Sequence, residues 1–191
     1  MPPEWINYFG YGSLVNRDTR PPHEMAINVT LKGWQRVWNH RVTNTDERIA
    51  CTSLSIEPAE GSIEGVLVRI ARADLHALDE RESGYERQEL PVSNFVVPDD
   101  CLVDTIHVYR SQESNRILAD DQHPITQSYA DCVMAGYQRR FGDDGLERLI
   151  RTTRGWERPM RQDRRAPTYP RSVKLSVEEQ QQFDLLLKKQ R

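Results

Sequence analysis

The sequence predicts an α+β fold, a small mixed and largely antiparallel β-barrel with flanking helices. Segments rich in β-branched and aromatic residues follow one another through the first 111 residues. Helical spacing of apolar residues takes over after residue 124. One helical segment separates the strand candidates, whereas a parallel sheet needs a crossover in nearly every connection. These three observations favour an antiparallel, barrel-like sheet.

The strand candidates occupy the first part of the chain. Strands are predicted over 5–9, 26–40, 49–58, 62–70, 85–97 and 101–111. The turn-forming sequence PAEGS (58–62) lies between the third and fourth of these, so we predict that they form a hairpin. Pro91 lies within the fifth candidate. Because proline has no backbone N–H to donate to a neighbouring strand, we predict an edge strand or a bend at this position.

The helix candidates have recognisable ends. Helices are predicted over 72–82, 124–141, 143–153 and 176–191. Gly84 ends the first of them, since glycine readily adopts the backbone conformation that follows a helix. Ser176 and Glu179 form the capping box that begins the last. Prolines interrupt residues 154–171, which we therefore predict to be a loop.

Length and charge limit the general class of the protein. A chain of 191 residues favours one domain over 1–191, with residues 142–191 as a C-terminal extension of helix and loop. The formal net charge of −3 provides no general attraction to nucleic acid or to an anionic membrane. We find neither a signal-peptide pattern nor a run of apolar residues long enough to span a bilayer. We therefore expect a cytoplasmic protein.

The cysteines and histidines do not follow the spacing of a metal site. The three cysteines are far apart and form no CxxC pair. The five histidines form neither HxH nor HExxH. The sequence therefore predicts no disulfide framework and no metal site.

One carboxylate falls on the apolar face of the first predicted helix. Leu75 and Leu78 are spaced i, i+3, and Glu82 is the next position on that face. The partial negative charge of the helix C-terminus and partial burial would both raise the pKa of Glu82. Such a residue can act as a general base near neutral pH. The alternative is that Glu82 reaches solvent, as many glutamates beside an apolar stripe do.

The loop Gly10-Tyr11-Gly12-Ser13 follows the first predicted strand. It lacks the lysine of a phosphate-binding loop, and Ser13 does not lie in the GxSxG pattern of a serine nucleophile. Besides these two interpretations, a phosphate-binding loop and a serine nucleophile, the loop could present backbone N–H groups that bind a carboxylate. It could also be a plain turn, because glycine is common in turns.

An arginine-rich segment, residues 152–171, carries six arginines together with Trp156 and Tyr169. Arginines interleaved with aromatic residues can bind single-stranded nucleic acid. The alternative is a loop held by ion pairs with Glu157, Asp163 and other acidic residues. The net charge favours this second interpretation.

Four segments together resemble the γ-glutamylcyclotransferases. YFGYGSLV (8–15) is similar to the signature loop of that family, in its ChaC-type and its γ-glutamyl amino acid enzymes. GVLVRIARADLHALDERESGYER (65–87) is similar to the block that contains the catalytic glutamate. LKGWQRVWN (31–39) and, more weakly, PITQSYADCVMAG (124–136) resemble two further blocks.

The resemblance implies a reaction, a site and an absence of cofactors. The α-amine of a γ-glutamyl compound would attack its own γ-carbonyl and release 5-oxoproline, with Glu82 as general acid and base. Substrate-binding residues would be Tyr11, Gly12, Ser13, Leu14 and Tyr85, with no metal and no cofactor. The partner would be a small-molecule γ-glutamyl substrate.

The resemblance leaves the substrate open. Leu14 stands where the γ-glutamyl amino acid enzymes have Asn, and Val15-Asn16 stands where ChaC-type proteins have Ile-Trp. Glutathione, a γ-glutamyl amino acid and a γ-glutamyl amine remain candidates, and the sequence does not specify the oligomeric state. A non-catalytic binding protein on the same barrel is the alternative function.

Overall fold

A computed structural model of the chain describes residues 4–21, 25–42 and 49–190. It contains nine strands and three helices in these ranges. The strands are β1 (Trp5–Gly10), β2 (Ala26–Val42), β3 (Cys51–Ala71), β4 (Tyr85–Pro91), β5 (Phe95–Val96), β6 (Thr105–Ser111), β7 (Ile125–Thr126), β8 (Thr153–Arg154) and β9 (Met160–Arg161). The helices are α1 (Leu75–Arg81), α2 (Gln127–Arg151) and α3 (Val177–Lys188).

The strands form one curled sheet with the order β4-β6-β1-β3-β2-β5. The long pairs β1–β3, β2–β3 and β4–β6 are antiparallel, whereas β1–β6 and the short pairs made by β7, β8 and β9 on their neighbours are parallel. The predicted class, an α+β fold with a largely antiparallel, barrel-like sheet, is thus confirmed.

The sheet curls because its two ends meet. Strand β5 follows β4 closely along the chain, yet it pairs with β2 at the other end of the strand order. His40 at the far end of β2 forms a bridge with Arg116, just after β6. These contacts bring the first and last strands of the order together and give the sheet its partly barrel-like form.

The predicted hairpin at 58–62 is wrong. Strand β3 runs without a turn through Pro58 and Gly61. Pro58 lies opposite Trp34, where the register of the β2–β3 pair shifts by two residues. Proline is tolerated at such a bulge because a ladder donor is not required there. The hairpin instead joins β2 to β3 through residues 43–50, of which 43–48 lie outside the described residues.

The outer boundaries of the helices lie within three residues of the predicted ones. Residues 72–74 form a 3-10 turn, so α1 begins at Leu75 and Glu82 is its C-terminal cap rather than a residue of its last turn. Gly142 has a φ of 72° and separates the two predicted helices that together make up α2. The predicted capping box between Ser176 and Glu179 starts α3.

The hydrophobic core lies inside the curled sheet and between the sheet and α2. The largest fully buried aromatic side chains are Tyr8, Phe9, Trp38, Tyr137, Trp156 and Phe183. Burying one such side chain contributes about 1.5–3 kcal/mol to stability. Helix α2 also packs on the 3-10 turn Ser13–Val15 that follows β1, and this contact brings the start of α2 to the glycine loop. Across the described part of the chain, we find no helix with the length and apolar character needed to cross a membrane.

Candidate active site

One pocket lies where six elements meet. A cavity of about 40 Å³ is surrounded by the end of β1, one residue each of β3 and β6, the C-terminus of α1, the start of β4 and the first turn of α2. The lining residues are Phe9, Gly10, Tyr11, Gly12, Ser13, Leu14, Leu54, Glu82, Tyr85, Tyr109 and Tyr129. All six residues singled out in the sequence, Tyr11 to Leu14, Glu82 and Tyr85, therefore lie around the same cavity.

The glycine loop is held from behind by its carbonyl groups. The Tyr11 carbonyl accepts hydrogen bonds from Arg36 Nε at 3.0 Å and from the Tyr137 hydroxyl at 2.9 Å. In a trans peptide the N–H points away from the carbonyl of the same unit, so the Gly12 N–H faces away from Arg36. Among the described residues, we find no acceptor for the N–H groups of residues 11–14. These donors are free to bind a ligand.

The loop is also anchored to α2. Asn16 Nδ2 donates to the Cys132 carbonyl at 3.0 Å, and a Cβ on Gly136 would lie 2.7 Å from the backbone nitrogen of Asn16. The Thr19 hydroxyl donates to the Ser13 carbonyl at 2.8 Å. A Cβ on Gly12 itself would lie 3.0 Å from the Tyr129 hydroxyl, so glycine keeps this side of the pocket open.

Glu82 faces the same cavity from the end of α1. Its backbone N–H donates to the Leu78 carbonyl at 3.0 Å, which fixes the cap. The side chain is 19% exposed, and its Oε1 lies 3.5 Å from Arg81 Nε. Burial raises the pKa of Glu82, while Arg81 and, more weakly, Arg171 lower it. The net direction, upward, suits a group that must accept a proton near neutral pH.

Most tyrosine hydroxyls around the cavity already have protein acceptors. Tyr11 donates to the Tyr109 carbonyl and Tyr85 to the Leu54 carbonyl, both at 2.7 Å. Tyr109 donates to Asp79 Oδ1 at 2.6 Å. Burial raises the pKa of all three hydroxyls, so they remain protonated at neutral pH. They shape and rigidify the wall of the pocket.

Tyr129 is different, and sequence reasoning assigned it no role. Its hydroxyl donates to no acceptor that we find in the described ranges, and it lies beside Gly12. Its ring is held edge-on by Trp38 and by Tyr169, at centroid distances of 5.7 and 4.9 Å. Burial raises the pKa of Tyr129 well above its usual value. This residue offers a protonated, unengaged hydroxyl to the cavity.

The arginine-rich segment is attached to the body of the protein and reaches the pocket. Arg154 pairs with Glu57 at 3.0 Å, Arg158 pairs with Glu157 at 3.4 Å, and Arg164 pairs with two aspartates of the helices. Asp163 accepts hydrogen bonds from Ser128 and Thr168 rather than from arginine. Farther along, the Tyr169 hydroxyl lies beside Ser13 and Arg171. No grouping of three possible metal ligands occurs within residues 4–21, 25–42 and 49–190.

Comparisons with known proteins identify the family of the chain. The family model described as gamma-glutamyl cyclotransferase, AIG2-like, matches residues 8–129, which contain the glycine loop, Arg36, Glu82 and Tyr129. A comparison with curated proteins found no match.

Solved structures with the same fold include an uncharacterised human protein. It is 18% identical, with a TM-score of 0.63, and the match covers 95% of this chain and 99% of that one. A structure named gamma-glutamyl cyclotransferase is 18% identical, with a TM-score of 0.59 over 95% and 99% of the two chains. YkqA from Bacillus subtilis is 19% identical, with a TM-score of 0.58 over 78% of this chain and 54% of its own.

Proposed function

Because the chain belongs to the AIG2-like γ-glutamyl cyclotransferase family, we propose that it cleaves a γ-glutamyl amide by attack of the substrate's own α-amine on its γ-carbonyl. The new C–N bond closes a five-membered ring, and the old amide C–N bond breaks. The products are 5-oxoproline and a free amine. One observation carries the proposal: a carboxyl group of raised pKa and a row of free backbone N–H groups line the same cavity.

The glycine loop would bind the glutamyl α-carboxylate. Backbone N–H groups that converge on one point hold an anion without a lysine or arginine. The loop is well suited to this because Arg36, Tyr137 and Asn16 fix it from behind. A fixed substrate conformation can contribute about 7–11 kcal/mol to an intramolecular attack.

Glu82 would move the proton. A free α-amine has a pKa of about 8 and is mostly ammonium at pH 7. The ionised Glu82 carboxylate accepts one proton from it, which frees the nitrogen lone pair for attack. The carboxyl group then gives a proton to the departing nitrogen, so that one residue acts first as base and then as acid.

Tyr129 would stabilise the negative charge that develops on the carbonyl oxygen. Its hydroxyl stays protonated and has no competing acceptor that we find in the described ranges. A single well-placed donor of this kind contributes about 3–4 kcal/mol to the transition state. Tyr85 would instead form the wall, because its hydroxyl is engaged with the Leu54 carbonyl.

The first experiment compares the wild type with Glu82→Gln on glutathione, γ-glutamyl-alanine and a γ-glutamyl amine, and measures 5-oxoproline. We expect release from at least one substrate by the wild type and a loss of at least about 10²-fold in kcat in the variant. Glu80→Gln is the matched control, because Glu80 lies on the same helix with its side chain 71% exposed. It should retain full activity.

The same panel separates the alternatives. Binding of a γ-glutamyl compound by the wild type without release of 5-oxoproline would identify a non-catalytic binding protein. Full activity in the Glu82→Gln protein would exclude Glu82 as the base.

A further inference from the structure

A short turn of the arginine-rich segment contacts two residues that line the pocket, Ser13 and Tyr129. We call residues 168–172 the rim turn. It is closed by a hydrogen bond from the Ser172 N–H to the Tyr169 carbonyl at 3.1 Å. Tyr169 packs edge-on against Tyr129, and its hydroxyl lies beside Ser13 of the glycine loop.

The rim turn is fixed to the first turn of α2. Asp163 accepts hydrogen bonds from the N–H and hydroxyl groups of both Ser128 and Thr168, at 2.6–2.9 Å. The Tyr169 N–H donates to the Ser128 hydroxyl at 3.2 Å. Ser128 is the neighbour of Tyr129, so these contacts hold the rim turn at a defined distance from the pocket.

Arg171 places a positive charge on this rim. Its side chain lies beside the Tyr169 hydroxyl, and its positive charge weakly lowers the pKa of Glu82. In the described part of the chain, Arg171 forms no ion pair with a carboxylate, whereas Arg81 pairs with Glu82 and Arg164 pairs with Asp131. Arg171 is exposed, so a ligand can reach it, and it lines a depression with Asp18 and Arg139 rather than the cavity itself.

The proposed reaction fixes which part of a substrate would reach Arg171. The loop N–H groups take the α-carboxylate, and the γ-amide must lie at Glu82. The remaining part, the amine half, extends toward the mouth. A guanidinium there favours a carboxylate, to which it can donate two parallel hydrogen bonds.

Resting on the function proposed above, we propose that Arg171 binds a carboxylate on the amine half of the substrate, so that the enzyme acts on γ-glutamyl amino acids in preference to γ-glutamyl amines. Arg171 is then a specificity-determining residue supplied by the C-terminal extension. The matching family model ends at residue 129, so this residue lies outside the matched part of the chain.

The test uses two substrates that differ by one carboxylate, γ-glutamyl-alanine and γ-glutamyl-ethylamine. We expect the wild type to prefer the alanine compound by about tenfold in kcat/KM, a modest value because the pair is exposed to solvent. Arg171→Met should remove the preference by raising KM for γ-glutamyl-alanine while changing the ethylamine compound less than twofold. Arg165→Met, an exposed arginine of the same segment, is the matched control and should leave both substrates unchanged.

A charge reversal gives a second, independent measurement. Arg171→Glu should favour γ-glutamyl-ethylenediamine, whose amine half is cationic, over γ-glutamyl-alanine. An equal loss on both substrates in Arg171→Met, or no preference in the wild type, would overturn the role of Arg171 alone. A wild type that releases 5-oxoproline from neither substrate would overturn the proposed function itself.

Discussion

Glu82 shows how one residue can meet two electrostatic requirements. Burial raises the pKa of Glu82, while the neighbouring Arg81 limits that rise. A higher pKa makes a better base, but a carboxyl group that is protonated at the working pH accepts no proton. Arg81 therefore helps to keep a usable fraction of Glu82 ionised.

This balance gives a pH prediction. Only the ionised Glu82 is active, so kcat/KM should fall as the pH decreases through its pKa. Arg81→Met removes a charge that lowers this pKa, so the acid limb of the profile should move to higher pH. Activity on the alkaline plateau should stay within about twofold, and activity on the acid limb should fall severalfold.

The control for this prediction is Arg87→Met. Arg87 pairs with Asp79 at 3.4 Å and is not among the charges that act on Glu82. The acid limb of the kcat/KM profile of Arg87→Met should coincide with that of the wild type. A limb that moves to lower pH in Arg81→Met would contradict the assignment of Glu82 as the group that titrates.

Residues of the site differ in how far sequence can identify them. The interrupted apolar stripe Leu75, Leu78 and Glu82 and the glycine loop are local patterns, so they can be seen in the chain itself. Tyr129 could not be found in this way, because its importance depends on a hydroxyl without a protein acceptor. That property can be recognised only when the structure shows the acceptors of the neighbouring tyrosine hydroxyls.

At the scale of elements, the wrong hairpin has a clear physical origin. A Pro-Ala-Glu-Gly sequence usually marks a turn. The bulge in the β2–β3 pair, which accommodates these residues within a strand, cannot be predicted from the sequence alone. The pairing of β2 with β3 over almost their full length outweighs the local turn preference. The helices were predictable because their ends carry strong local signals, in Gly84, Gly142 and the Ser176 capping box.

The C-terminal segment is an element whose position depends on Asp163. Burial alone would raise the pKa of Asp163, but four hydrogen bonds from Ser128 and Thr168 outweigh it and lower the pKa. An ionised carboxylate can accept all four, whereas an amide keeps a single acceptor oxygen. We expect Asp163→Asn to lower the free energy of unfolding by about 2–3 kcal/mol, measured by urea denaturation at pH 7.

Asp184→Asn is the control for this change. Asp184 is likewise a hydrogen-bond acceptor, in its case for Arg164, but its side chain is 52% exposed. Exposed ion pairs of this kind contribute less than about 1 kcal/mol to the free energy of unfolding. The stabilising effect of Asp163 should be present above its unfolded-state pKa and should be lost as the pH falls through its lower folded-state value. Equal stability of the two variants would show that Asp163 does not hold the segment.

At the scale of the whole molecule, the site exists because the sheet closes. The glycine loop follows β1, Glu82 follows β3 and α1, and Tyr129 belongs to α2, so these residues are far apart in the sequence. Closure of β5 on β2 and the packing of α2 on the loop bring them around one cavity. Sequence reasoning predicted the barrel-like class, but not which strand ends would meet.

His40 lies where this closure is completed. Its ring stacks on Tyr85 of β4 at 3.7 Å between centroids, and its Nδ1 lies 2.9 Å from the Ser111 hydroxyl of β6. It thereby joins β2 to strands at the opposite end of the strand order. Burial lowers the pKa of His40 to about 4, so the ring is neutral in the folded protein at neutral pH.

This difference makes the stability of the closed sheet depend on pH. The unfolded chain binds a proton at His40 at a pKa of about 6.5, whereas the folded protein does so only near 4. The stabilising effect of a neutral His40 is therefore fully present above pH 6.5 and is lost progressively as the pH falls toward 4. The loss amounts to about 3 kcal/mol.

The measurement is the free energy of unfolding from pH 7 to pH 4 in the wild type and in His40→Gln. The variant should be less stable at pH 7, because a stacked buried ring is lost, but the difference should shrink by about 3 kcal/mol toward pH 4. Comparing the two proteins cancels the opposite effect of Glu82, whose raised pKa favours the folded state as the pH falls. A difference that stays constant with pH would mean that His40 titrates normally and that the closure does not exclude its charged form.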